Sequence, residues 1–453
     1  MIRSVRFRHR CRPAGIPIFA ALGTLAFLAS CAQPSPVPDR DVQWTGETVT
    51  LEITAERRMV ALDEHVGYDG FTFNRTIPSE QFIVQQGDSV RMVLHNEDTV
   101  AHGLSVHAAD AQTSAHVGNV PPGESREITF LAKYPGVFMY HCAPGGHGIM
   151  MHTKAGQHGM IVVEPANGRY GLEAELGREP DLRLYFVQHE VYRDGRDFFD
   201  GKALYVMFNG ELFRYVKNPI QARPGDYVRF YYLNVGPNLT STFHIVGGIF
   251  DYMHFQGNPQ NVEIGGQSVT SGPTDSWVIE WEIPEEEGGY LLVTHAFGTQ
   301  TAKGAIGILQ ASHDAERDAV VRSEGPRSNG ELDDTQFRRV VRPFAPGSPE
   351  VDRPVRFDAG EEVIIEMVGN SYVPKTVEIP SGTSVTWVNE DVFDYMNFEQ
   401  TGLHNSVVVE GPEDLATEML AHGQTDALIF TVPGDYEYIC TMHPYMRGII
   451  RVR

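Results

Sequence analysis

One pattern occurs three times in this chain. GDSVRMVLHNED (residues 87–98), PGDYVRFYYLNVG (224–236) and SGTSVTWVNED (381–391) each set a Gly turn before a strand of alternating character. A second shared piece follows each of them: YPGVFMYHCA from Tyr134, EEGGYLLVTHA from Glu286 and VPGDYEYICTM from Val432. Two matched pieces recurring in order mark an internal repeat, and period-two alternation places both on strands. Short strands between Gly and Pro turns, few long helical patterns and metal-ligating side chains near the end of a copy predict an all-β protein of three Greek-key β-sandwiches.

The length of 453 residues agrees with three domains, at roughly 150 residues each. The copies divide as 42–165, 166–312 and 353–453, with 313–352, rich in charge, Pro, Gly and Ser, between the second and third. That stretch reads as a linker or, at such length, as an ordered arm wrapped on the body. Residues 1–31 differ in character. Five Arg without an acid lead into the apolar run IPIFAALGTLAFLA and then Leu28-Ala29-Ser30-Cys31, a lipoprotein signal peptide with its lipobox Cys. The alternative is an ordinary secretory signal with a chance Cys. Both predict export; the first predicts a periplasm-facing or cell-surface chain anchored to the membrane by lipid on Cys31.

Of four cysteines, Cys11 leaves with the signal and Cys31 takes the lipid, which leaves Cys142 and Cys440. Neither has a spare partner for a structural disulfide, and a lone thiol in an oxidising compartment is protected by binding a metal. Loss of the five leader Arg moves the formal charge from −23 to −28. So acidic a chain is not a nucleic-acid binder; its surface suits basic electron-donor proteins, or is simply solvated.

Cys440-Thr-Met-His443-Pro-Tyr-Met446 places Cys, His and Met at three-residue steps in one loop after a strand, and His404 in GLHNSVVV adds a second imidazole. A thiolate, two imidazoles and a long thioether contact suit a type 1 copper, whose fixed geometry keeps reorganisation small as the metal cycles. The loop resembles that of plastocyanin and related cupredoxins, which makes the third copy an electron relay.

In the first copy, His141 and Cys142 are adjacent in YHCAPGGHGIMMH. Successive side chains on a strand point to opposite faces, so this pair can serve two copper ions joined through a few covalent bonds. His102 and His107, five apart in AHGLSVHAAD, also face opposite sides. From about Val42 to Ala311 the chain resembles the copper-containing nitrite reductases, homotrimers of two-cupredoxin subunits. The resemblance implies a type 1 copper on His102, Cys142 and His152. It implies a type 2 copper on His107, His141 and, from the neighbouring subunit, His295 in VTHAFGTQTAKGAIG. His295 stands roughly where the other copies have Cys, so the second copy contributes a wall and a ligand. His65, His95, His116, His189, His313 and His422 read as ordinary surface or core residues.

Three positions depart from the family's pattern. Gln157 stands where the family has an axial Met, and an amide oxygen is a weak axial ligand expected to lower the potential; Met160 is the other candidate. Ser105 stands at the place of a catalytic Asp, and Ile249 at that of a second catalytic His. Acid catalysis then falls to Ser105, through water, and to His254 or His147 in the vacated space.

The expected function is one-electron reduction of nitrite, or of another small oxidant, at the type 2 copper of a homotrimer. Electrons enter at the Cys440 site from a donor such as a c-type cytochrome or a cupredoxin, then pass through the Cys142 site and His141. Two other readings stand beside it. A non-catalytic copper electron-transfer lipoprotein is motivated by Ser105 and Ile249. A two-domain multicopper oxidase reducing oxygen needs His-x-His pairs, and no two of the 18 His are two apart.

Overall fold

Gly87, Gly225 and Gly382 adopt φ of 100°, 75° and 85°, a region that glycine enters freely and other residues avoid. Each turns the chain into the repeat strand that follows: Ser89–Asn96, Tyr227–Gly236 and Thr383–Asn389. The same neighbours recur around each. Ser89–Asn96 lies between Thr48–Ala61, parallel, and Ser125–Leu131, antiparallel. Tyr227–Gly236 lies between Leu182–Val191 and Ser276–Glu282 in the same senses, and Thr383–Asn389 between Val363–Val368 and Thr425–Phe430.

The second shared piece builds the other sheet of each copy. Gly136–His141, Gly288–Thr294 and Gly434–Ile439 pair antiparallel with His158–Glu164, Ile306–Ala311 and Arg447–Val452. Each of the latter pairs parallel with a short strand, Phe82–Gln85, Ile220–Ala222 or Thr376–Ile379. The fold is all-β, three cupredoxin-type β-sandwiches of one topology, as the repeat predicts.

The computed structural model describes residues 48–453 except 145–151, 167, 194–196, 199, 324–331, 343–353, 369–370, 391–392, 395–398, 401 and 443–445. The expected signal peptide with Cys11 and Cys31, the candidates His147 and His443, and much of 313–352 lie outside the described residues. No helix among the described residues is long and apolar enough to cross a membrane.

Alternation decides which residues fill which core. Val90, Met92 and Leu94 are buried with Tyr140 and Ile161 inside the first sandwich, and Trp387 with Tyr438 and Cys440 inside the third. Tyr227–Gly236 is buried on both faces. Phe230 and Tyr232 point into the second sandwich, whereas Tyr231 and Leu233 meet Val137, Met139, Met160 and Val162 of the first. Each fully buried aliphatic or Phe side chain contributes roughly 1.5–3 kcal/mol relative to exposure, so this shared face holds the two sandwiches firmly together.

The described parts of 313–352 take the form of an ordered arm. Val320–Val321 adds a parallel strand beside Leu182–Val191, and Arg339–Val341 adds one beside Val66–Phe73. Two sheet edges that would present unpaired backbone groups are thereby covered.

Candidate metal centres

On Gly136–His141, Val137 and Met139 face the second sandwich while Tyr140 faces the core of the first. Cys142 continues the alternation and is fully buried in that first core. His141 therefore points the other way.

Three donors meet around Cys142. Its Sγ lies 3.4 Å from His152 Nδ1 and 3.7 Å from His102 Nδ1, and the two Nδ1 atoms are 3.2 Å apart. Gln157 Oε1 approaches His102 Nδ1 at 2.8 Å, while its amide donates to Thr72 O at 3.1 Å, which aims the oxygen at the cluster. The far side of the His102 ring meets Asp98, with Nε2 to Oδ2 at 3.0 Å. Gly103 N–H donates to Cys142 Sγ at 3.3 Å. Met160, on the opposite face of its strand, packs with Val137 and Val162 between the sandwiches and points away from Cys142. Burial pushes the Cys142 thiol up to about 12, and burial with the nearby His102 holds His152 down to about 4. Two imidazoles, a soft sulfur and a weak amide oxygen, buried and converging, fit a copper ion whose charge would ionise the thiol.

His141 lies on the other face of the sheet. Its Nδ1–H donates to Cys142 O at 2.8 Å, which leaves Nε2 as the free lone pair. That Nε2 stands 3.1 Å from His107 Nε2, with the rings nearly perpendicular. Ser105 is the cross-strand partner of His141 in the pairing of Ser105–Val106 with Gly136–His141. The solvent-exposed His107 begins the turn just after Ser105–Val106, where its N–H donates to Met139 O at 3.0 Å. Two imidazoles offering Nε2 to one point fit part of a copper site that is open to solvent.

His295 does not join this pair within one chain. It is exposed, and its ring neighbours are His244 at 4.9 Å and Phe297 at 5.1 Å. His244 escaped the sequence reading. On Ser241–Ile245, residues 241, 243 and 245 are buried, and Thr242 and His244 face outward beside His295, whose N–H donates to Thr242 O. That alternation was the available signal. Ile249, at the place of a catalytic His in the family's pattern, is 61% exposed before Phe250–Phe255, and the imidazole next to His295 is that of His244.

His254 is fully enclosed. Its Nε2 lies 3.3 Å from Glu280 Oε2, and its ring packs on Tyr170 and Tyr252. Glu280 is also engaged by Arg229 at 3.2 Å, so His254 belongs to a buried ion network rather than to the exposed face of His107.

In the third sandwich, His404 Nδ1 lies 3.6 Å from Cys440 Sγ, both fully buried. Cys440 N–H donates to Met446 O at 3.2 Å, and Met446 is buried in the same core. Asn405 Oδ1 accepts from Thr441 N–H at 2.8 Å, tying the His404 segment to the loop after Cys440. The donor set fits a second thiolate–imidazole copper.

Comparison with known proteins gives the same picture. A family model described as multicopper oxidase matches residues 54–168, and one described as copper binding proteins, plastocyanin/azurin family, matches 363–453. The copper-containing nitrite reductase of Neisseria meningitidis serogroup A is 31% identical over 312 residues, covering 65% of this chain and 75% of that protein. That of Cereibacter sphaeroides is 28% identical over 303 residues, covering 61% and 79%. Among solved structures, the nitrite reductase of Thermus scotoductus SA-01 is 54% identical with a TM-score of 0.65, covering 90% of this chain and 99% of that one. The copper nitrite reductase of Nitrosomonas europaea is 30% identical with a TM-score of 0.55, covering 62% and 98%. At that identity and coverage, the chain belongs to the copper-containing nitrite reductase family.

Proposed function

We propose that the chain is a copper-dependent nitrite reductase that forms nitric oxide and carries its own electron-relay domain. The observation that carries this reading is the pair His141 and Cys142: adjacent residues that face two donor clusters on opposite sides of one sheet. His102, Cys142, His152 and Gln157 would hold one copper, His404, Cys440, His443 and Met446 a second, and His107, His141 and a His295 from another copy a third. Bound copper supplies a one-electron redox centre and a Lewis acid.

Reduction of nitrite to nitric oxide takes one electron and two protons and releases water. Ser105, the cross-strand partner of His141, would pass a proton from solvent. His244, beside His295, would come to the same site with it and can hold or donate another. A trimer supplies the missing imidazole, and the exposed apolar side chains Ile249, Val262 and Ile264 on the second sandwich suit burial between subunits.

We also propose that the protein is exported and lipid-anchored at Cys31, facing the periplasm or cell surface, and that a c-type cytochrome or cupredoxin reduces the Cys440 site. Tethering the relay keeps its effective concentration near the catalytic body at about the millimolar level. The alternative, a copper electron-transfer lipoprotein without catalysis, draws on Ser105 at the acid position. Nitrite turnover by the copper-loaded chain, followed with a nitric oxide electrode, tests the reading. Incorporation of a labelled fatty acid that is lost in Cys31→Ser tests the anchor.

A further inference from the structure

Glu64 and His65 sit at the tip joining Thr48–Ala61 to Val66–Phe73 in the first sandwich, and His422 in a turn of the third. Both supports are fixed. Asp63 Oδ1 accepts the N–H groups of His65 and Val66 at 2.7 and 2.8 Å, and Gly423 N–H donates to Asn389 O at 2.7 Å. Arg338 of the arm ties the two together, donating its N–H to His65 O at 3.0 Å and its Nη1–H to Gly423 O at 2.7 Å.

One ligand atom from each of Glu64, His65 and His422 lies within 4.8 Å of the others. The two rings are 5.8 Å apart, and His422 Nε2 is 3.5 Å from Glu64 Oε1. Both ring nitrogens of His422 are shut off from water; Nε2 faces the Glu64 carboxylate, and Nδ1 has no hydrogen-bond partner, an arrangement that costs about 1–3 kcal/mol unless something else satisfies it. Lys217 Nζ stands 3.3 Å from Glu64 Oε2 and 3.7 Å from Asp63 Oδ2. Burial raises the Glu64 carboxyl, but its backbone hydrogen bond, Lys217 and His422 outweigh that and hold it at about 2.

We propose that Glu64, His65 and His422 bind a divalent transition-metal ion that clamps the third sandwich onto the first. Two imidazoles and a carboxylate form the donor set of zinc with an open fourth position, and copper(II) accepts the same set. Lys217 competes for the Glu64 carboxylate, and Asp63 partly offsets its charge, so the site is one of moderate affinity that responds to metal supply. This clamp is separate from the redox centres and stands whether or not nitrite is the substrate.

The test uses the full chain with its redox copper loaded and reduced by ascorbate without oxygen, which makes the blue sites colourless. Cobalt(II) and zinc(II) are then titrated by absorbance and calorimetry. One additional ion per chain is expected, weakened at least about tenfold in either His65→Gln or His422→Gln and tightened in Lys217→Ala. Unchanged blue absorbance on reoxidation shows that the variants are folded. If copper(II) is the occupant, an added type 2 resonance appears with excess copper and is lost in His422→Gln but kept in His295→Ala. The proposal is overturned if His65→Gln and His422→Gln bind the extra ion as the unaltered chain does, or if no ion beyond the redox copper binds at millimolar zinc or copper.

Discussion

His141 and Cys142 share a peptide bond and face opposite sides of their sheet: Cys142 Sγ is 3.4 Å from His152 Nδ1, and His141 Nε2 is 3.1 Å from His107 Nε2. Two donor clusters are thus joined by the shortest covalent path that a strand provides. Because His141 Nδ1–H also donates to Cys142 O at 2.8 Å, the ring that serves one cluster is oriented by the residue that serves the other.

Asp98 holds His102 from behind its ring, so Asp98→Ala should weaken copper at the Cys142 site by about 10–100-fold. Titration of blue absorbance checks this, with the Cys440 site as the internal control.

Gln157→Met should raise the reduction potential of the Cys142 site and shift its absorption, since a thioether replaces an amide oxygen aimed at the cluster. Met160→Leu should change neither, because Met160 packs between the sandwiches. Spectroelectrochemistry separates the two.

His295→Ala should remove one copper per chain and only the type 2 resonance, leaving both blue sites. Metal analysis with paramagnetic resonance reads this directly.

Ser105→Asp places a carboxylate opposite His141 and should raise nitrite turnover, by up to about 10²-fold if proton supply is limiting. Ser105→Ala should lower it. Steady-state rates across pH decide the matter.

The buried His189 ring contacts His158 at 5.3 Å, and neither nitrogen of His189 is hydrogen-bonded. Burial, then His158, hold His189 well below the usual imidazole range. A depressed imidazole is neutral when folded, whereas the unfolded chain takes up a proton below about pH 6.5. Its contribution is therefore present above that pH and lost as pH falls. His189→Met should make the acid loss shallower, by a slope that approaches about 1.4 kcal/mol per pH unit as pH falls from 6.5 towards 5, read by denaturant unfolding.

The three sandwiches were legible because a Gly turn and an alternating strand are local features, and Gly87, Gly225 and Gly382 each repeat them. Alternation also separates Cys142 from His141; His102 and His107, expected on one extended strand, are instead an isolated bridge residue and a turn residue on either side of the two-residue strand Ser105–Val106. What escaped depends on distant pieces meeting. His244 comes beside His295 only through the register of Ser241–Ile245 with Gly288–Thr294. His254 looked available in sequence because nothing local reveals Glu280 and Tyr170 closing over it. His65 and His422 read as ordinary residues because their approach is set by how the first and third sandwiches meet.

The most direct test of the central claim is multiple-turnover nitrite reduction by the copper-loaded chain under strict anaerobiosis, with nitric oxide followed by electrode. Sustained nitric oxide that disappears in His295→Ala while both blue sites persist is the expected result. A fully copper-loaded trimer that reduces its blue sites yet yields no nitric oxide from nitrite would contradict the account.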